Sequence, residues 1–148
     1  PVIRKVQGFT AAMHQHLGVE QAHLERLITH TVFSLEGGAA AAGRLITRGA
    51  TAVICGSDLM ALGAIRQARA MGRSVPGDFS VVGYDDSTMM AFTDPPLTTI
   101  RQAVDAMGDA AVRALLDDIA GEGPPCAEYV FRPELVVRGS TGAAPPRG

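Results

Sequence analysis

Two short runs dominated by apolar residues, Thr51 to Cys55 and Phe79 to Tyr84, constrain the fold most, because helix-like segments stand on either side of them. A strand that is apolar on both sides must be covered on both faces, which is how strands of parallel sheets read. Parallel neighbours need a crossover of a dozen or more residues, usually a helix. The stretch capped by Ser57 or Asp58, running through Met71 and closed by Gly72, supplies one. The alternation continues along the chain. Val2, Val6, Phe9, Met13 and Leu17 trace one helical stripe that Gly18 stops. Beyond Gln21 to Arg26, the β-branched content of Leu27 to Phe33 predicts a strand. Ser34 then caps a small-residue helix through Arg48, ended by Gly49. Further on, Leu97 to Ile100 predicts a brief strand, and Val104, Met107, Ala111, Leu115 and Ile119 mark a long helix closed by Gly121. Tyr129 to Arg132 and Glu134 to Arg138 predict two short strands, and the Gly, Ala, Pro and Ser content from Gly139 predicts a disordered tail. The predicted class is α/β, a three-layer α/β/α arrangement around a mostly parallel sheet.

Composition narrows what such a fold does. At 148 residues, 47% hydrophobic and 19% charged, the chain suits one globular unit. With 5% aromatic residues and no Trp, its core must be built from Ala, Leu, Ile, Val and Met. No apolar run reaches the 18 residues of a membrane-spanning helix. A formal charge of -2 argues against this segment itself gripping a phosphate backbone, which needs a basic face. Cys55 and Cys126 fit no metal-ligand spacing, and Cys55 lies in an apolar run, so a reduced, cytoplasmic setting is expected. Pro1 to Lys5 carry neither an initiator Met nor a signal-peptide pattern, and the chain is expected to be an internal cut of a longer one.

In open parallel sheets the ligand sits at the carboxyl ends of the strands. Phe33-Ser34, Gly56-Ser57-Asp58 and Tyr84-Asp85-Asp86 are therefore the places to search. Asp85 and Asp86 could accept hydrogen bonds from a ligand, hold a hard cation, act as an acid/base pair, or simply cap a turn. No nucleophile elbow or phosphate loop accompanies them, so binding is favoured over turnover and no cofactor is expected. One of Ser57 and Asp58 is needed as a helix cap, which leaves the other for the cleft. Phe33 is either a ring platform or core, and Met89, Met90 and Phe92 are either core beneath a loop or a partner contact. The four histidines lie at spacings unsuited to a metal.

Three blocks appear in a specific order: Thr51 to Ile65 with Cys-Gly-Ser-Asp, Met71 to Asp86 with Val-Pro-Gly-Asp-Phe-Ser-Val-Val-Gly-Tyr-Asp-Asp, and Pro95 to Gln102. With Gly8-Phe9, Phe33 followed by Glu36 and Gly38, and Arg138-x-Ser140, they closely resemble the lactose-repressor (LacI/GalR) family of transcriptional regulators over Arg4 to Thr141. The resemblance implies an incomplete periplasmic-binding-protein-like fold of type I. Residues 1–96 would form the carboxy-terminal lobe of an effector-binding domain, and 97–122 a crossing strand and helix belonging to the amino-terminal lobe. Residues 123–138 would return to the first lobe, ahead of the tail 139–148. It implies an effector, sugar- or purine-like, contacted by Lys5, Phe33, Ser57, Asp85 and Gln102. Ser57 stands where Asn is common and Lys5 where Arg is usual, so a point charge replaces a two-pronged donor unless Arg4 supplies it. It implies a homodimer through Met60, Ala64, Met89 and Phe92, and DNA binding only through a headpiece absent from these residues. The helix from Ala103 to Ala120 would then need covering by more polypeptide, by its own sheet or by a second copy. Two other readings remain open: the sugar-binding protein of a transporter, and a metal-dependent enzyme using Asp85 and Asp86.

Overall fold

The computed structural model describes residues 2–121, 123 and 128–144. In chain order the elements are α1 (Val2–Leu17), α2 (Gln21–Leu27), α3 (Leu35–Thr47), β1 (Ala52–Ile54), α4 (Asp58–Ala70), β2 (Ser80–Asp85), β3 (Thr98–Arg101), α5 (Val104–Ala120) and β4 (Glu134–Val136). A 3-10 turn at Thr88–Ala91 lies between β2 and β3. The sheet order is β1-β2-β3-β4, with β1, β2 and β3 parallel and β4 antiparallel to β3. Register places Val53 beside Val81, Val82 beside Thr98 and Asp85 beside Arg101.

The helices begin and end for local reasons. Ser34 and Ser57 take extended backbone and accept from the amides of Gly37 and Met60, the side-chain caps that open α3 and α4. Gly121 closes α5 in the left-handed region at φ 73°. The core forms where α3 and α4 meet the sheet, from Ala42, Ile46, Met60, Ala61, Ala64, Ile65, Ala68, Phe79, Val81, Met90 and Leu97. With so few aromatics the two helices pack by approaching closely. A Cβ on Gly38 would overlap the Met60 carbonyl oxygen, and one on Gly63 would overlap that of Leu35. Cys55 joins this core as an unpaired thiol, and burial pushes its pKa up to about 12. Cys126 lies outside the described residues.

Several expectations are corrected. Leu27 to Phe33 is not a strand: α2 extends through Leu27, and beyond it the chain pairs with no neighbour among the described residues. Strand composition needs a ladder partner to become a strand. Gln21 to Arg26 forms the body of α2. β1 is not buried on both faces, because it lies at the sheet edge with Ala52 and Ile54 exposed. Tyr129 to Arg132 joins no ladder, and Tyr129 and Val130 are exposed. Met60 and Ala64 are buried in the core against α3 and the sheet, so they offer no surface to a partner.

The stretch from Gly139, expected as a disordered tail, begins with contacts to the sheet region: the Gly139 amide donates to the Pro96 carbonyl at 2.9 Å and the Gly142 amide to the Ser80 hydroxyl at 3.1 Å. Ser140 is fully buried between the starts of β2 and β3. Its carbonyl accepts from the Val81 amide at 2.9 Å, and its hydroxyl donates to the Val81 carbonyl at 2.6 Å while accepting from the Thr98 amide at 2.8 Å. These bonds complete backbone pairing ahead of the first β2–β3 rung. Residues 145–148 of the expected tail lie outside the described residues. α5 buries none of its side chains, and Val104, Val112, Leu115, Leu116 and Ile119 are exposed, so the chain's own sheet does not cover it.

Candidate functional site

The carboxyl ends of β1, β2 and β3 bring together residues far apart in sequence. Asp85 ends β2, and its Oδ1 accepts a hydrogen bond from Nε2 of Gln102, just beyond β3, at 2.7 Å. Asp85 has φ 119° and Asp86 φ 57°, so two successive residues with side chains occupy backbone that favours glycine. Lys5 reaches in from α1: its Nζ donates to the Gly56 carbonyl at 3.0 Å and lies 3.3 Å from the Tyr84 ring centroid. Burial lowers the Lys5 pKa, and the nearby Asp85 charge opposes but does not cancel that shift. Phe33 packs on Gly56, where a Cβ would stand 3.0 Å from Cζ of the ring. About half of Phe33 is still exposed, so it resembles an open platform more than a core ring.

Two contiguous contact groups therefore line the strand ends: Lys5 with Gly56, Tyr84 and Phe33, and Asp85 with Gln102. The first offers a cation and an aromatic face, the second a carboxylate and an amide. Ser57 stands at the edge of this set with its hydroxyl oxygen engaged as the α4 cap, 3.3 Å from the Met60 amide. Asp58 turns inward instead. Nearly fully buried, it accepts from the Ser87 amide at 2.7 Å and from the Thr99 hydroxyl, tying the start of α4 to the chain leaving β2.

The adjacent aspartates take different parts. Asp86 accepts from Nε of Arg101 at 2.6 Å, and Nη2 of Arg138 lies 2.7 Å from its other oxygen. Burial pushes its pKa up, but the two guanidinium groups outweigh that and hold the carboxyl below its ordinary range. An anion so engaged cannot share a proton with Asp85 as an acid/base pair. Among the described residues no cluster of three or more His, Cys, Asp or Glu side chains could hold a metal. Arg4 pairs at the surface with Glu128 at 3.0 Å, which places its guanidinium on that carboxylate. Sequence reasoning missed the parts of Asp58, Tyr84, Arg101 and Arg138. Each sits inside one of the motifs that carry the family resemblance, but its part depends on a partner distant in the chain that the motif does not name.

The surface loop divides its apolar residues. Met90 is buried, whereas Met89 and Phe92 are exposed. An open groove of about 440 Å³, lined by residues including Arg44, Arg48 and Gln67, lies between α3 and α4 and involves none of the strand-end residues.

A mostly parallel sheet with a helical crossover and convergent polar groups at its strand ends is the arrangement of an α/β ligand-binding domain. The model of the periplasmic binding protein-like domain family matches residues 4–141. The chain belongs to this family and, within it, to the LacI-type transcriptional regulators. It is 58% identical over 146 residues to the HTH-type transcriptional regulator MalR of Streptomyces coelicolor, covering 98% of this chain and 42% of that protein. A solved complex of the transcriptional regulator CelR with cellobiose superposes with a TM-score of 0.85 at 38% identity, covering 93% of this chain and 42% of the other. A LacI-family regulator from Enterococcus faecium with bound ribose gives a TM-score of 0.70 at 33% identity, covering 79% and 43%. The chain thus spans about two fifths of the length of each of these three relatives. No helix among the described residues is long and apolar enough to cross a membrane.

Proposed function

We propose that the chain is the effector-sensing and dimerisation portion of a cytoplasmic LacI-type repressor, acting by binding and without turnover. Its ligand is a small sugar, contacted by Asp85, Gln102, Lys5 and Phe33, with Ser57 at the margin. The observation that carries this reading is the Asp85–Gln102 pair at 2.7 Å, on adjacent strand ends beside the exposed Phe33 ring. A carboxylate accepts hydroxyl protons in charge-assisted bonds, its amide partner both donates and accepts, and a ring face covers a sugar's C–H surface. The bound sugars of CelR and of the Enterococcus faecium regulator favour a sugar over a purine-like ligand. The helix-turn-helix naming of MalR favours a regulator over a transporter protein. β3 belongs to the sheet with β1, β2 and β4 and not to a second lobe as expected, so only α5 beyond it reaches toward that lobe, whose remaining polypeptide would cover the exposed face of α5 and make the strand ends one wall of a cleft. Effector binding that favours one lobe arrangement shifts DNA affinity by that difference and no more.

The test is a thermal-shift panel of cellobiose, lactose, ribose and adenosine on the full-length polypeptide, repeated with Asp85→Ala. A sugar shift that the substitution abolishes is expected, since a hydrogen bond to a charged group contributes about 1.5–3 kcal/mol. A shift unaltered in Asp85→Ala removes Asp85 from the site, and no shift with any sugar overturns the sugar reading. Met89 and Phe92 are proposed as dimer contacts because both are exposed apolar side chains on one loop. Phe92→Asp should lower the dimer fraction in light scattering, and an unchanged dimer removes the loop from the interface.

A further inference from the structure

We infer that Asp86 is a positioning residue for the effector site: through Arg101 and Arg138 it locks the end of β2 to the crossing strand, which keeps Asp85 facing Gln102. The inference rests on the reading of Asp85 and Gln102 as effector contacts. The last backbone rung between β2 and β3 joins Asp85 and Arg101. Beyond it the two chains part, β3 toward α5 and β2 through two residues at positive φ. Positive φ is unfavourable for a residue with a side chain, less so for Asp than for most, and persists where the surroundings hold it. Neither position is Gly, so the turn must be held from outside.

Side chains supply the hold and cross-lace the strands where the ladder stops. Asp86 engages Arg101 at 2.6 Å while Asp85 engages Gln102 at 2.7 Å, so consecutive residues of one chain grip consecutive residues of the other. Arg138 forms an ion pair with the second Asp86 oxygen, Nη2 lying 2.7 Å from it, and is itself fixed, with Nη1 donating to the Leu97 carbonyl at 2.8 Å and its own amide to the Thr98 hydroxyl at 2.9 Å. Arg101 also lies 3.5 Å from Glu134 in β4. One carboxylate thus joins β2, β3 and the chain beyond β4. Its side chain is only 6% exposed, with Oδ2 hydrogen-bonded to Arg101 and Oδ1 in ion-pair contact with Arg138 without an aligned hydrogen bond, so Asp86 acts through its neighbours and not on the ligand.

Amide hydrogen exchange on the full-length polypeptide tests this without a ligand. Asp86→Asn should speed exchange about tenfold at Asp85 through Ser87 and at Arg101 and Gln102, with partial rescue in Asp86→Glu. Arg101→Gln, at a half-exposed residue, should do the same if Asp86→Asn fails to fold. Ser140→Ala loosens the opposite end of the same strands and should leave these amides unchanged. Wild-type exchange in the folded Asp86 and Arg101 variants, or equal acceleration by Ser140→Ala, overturns the inference. With cellobiose as probe in titration calorimetry, Asp86→Asn should weaken binding about tenfold and Ser140→Ala should not. Cellobiose affinity unchanged in Asp86→Asn but lost in Asp85→Ala overturns the positioning part alone. Affinity unchanged in Asp85→Ala overturns the effector-site reading, and the exchange experiment then decides the lock independently.

Discussion

Replacing Gly63 with Ala adds one methyl group where α4 meets the first turn of α3, and the structure fixes what that methyl would touch. It would overlap the Leu35 carbonyl oxygen and lie 2.9 Å from both the Leu35 carbonyl carbon and the Ala39 amide nitrogen. All three are backbone atoms of a packed helix and cannot rotate aside. Non-bonded heavy atoms settle near 3.5–4.0 Å, so relieving the overlap with the Leu35 oxygen requires the helices to part by more than about 1 Å, loosening the contacts of the fully buried Ala61 and Ala64. Overpacking of this kind costs about 1–3 kcal/mol and sometimes more. Against it stands the helix preference of Ala over Gly, about 0.8–1.0 kcal/mol. Because the overlap falls on backbone atoms the upper end of that cost applies, and the balance is a loss of about 2 kcal/mol. Gly43→Ala is the matched control on α3, because its Cβ would meet only the flexible Gln67 amide, with Nε2 at 3.3 Å. There the preference for Ala should dominate and stabilise by up to about 1 kcal/mol. Urea unfolding of both variants, with slopes compared to confirm two-state behaviour, measures the difference. A Gly63→Ala protein as stable as wild type, or both variants moving equally in one direction, would refute the close-approach argument.

Ser140→Ala removes one donor and one acceptor from buried partners, the Val81 carbonyl and the Thr98 amide. Each orphaned group costs about 1–3 kcal/mol, so the urea midpoint should fall clearly; an unchanged midpoint means the tail does not lace the sheet. The folded-state pKa of Asp86 is lowered, so its stabilisation is present above the ordinary carboxylate pKa of about 3.9 and is lost as pH falls through the folded value. The stability gap between wild type and Asp86→Asn should be constant from about pH 7 to 5 and close below about pH 4. A gap independent of pH down to about pH 2 would contradict the ion-pair assignment.

The elements legible in the sequence are those whose determinants are local. Ser57 before an apolar-periodic segment opens α4, and Gly121 after one closes α5, because a cap needs only its own turn. Phe79 to Tyr84 largely coincides with β2 because both its neighbours are present. Leu27 to Phe33 has comparable strand composition and no ladder partner among the described residues, so composition misleads there. Ser140 shows the reverse: a Gly, Ala, Pro and Ser stretch looks disordered until a gap between two strands supplies its partners.

The two aspartates at the end of β2 show where legibility of the site stops. The strand-end rule picks out the pair but cannot tell its members apart. Resemblance to a family singles out Asp85 and brings in Lys5 and Gln102. What separates Asp85 from Asp86 physically is the turn at φ 119° and 57°, which leaves one carboxylate with an amide at the open edge and sends the other inward to Arg101 and Arg138. Arg101 lies 15 residues from Asp86, and Arg138 reaches it only because the chain returns through β4. The sorting is therefore a property of the assembled sheet. Restoring only the local dipeptide in another strand-end setting, without the two arginines, should leave both carboxylates exposed and equivalent.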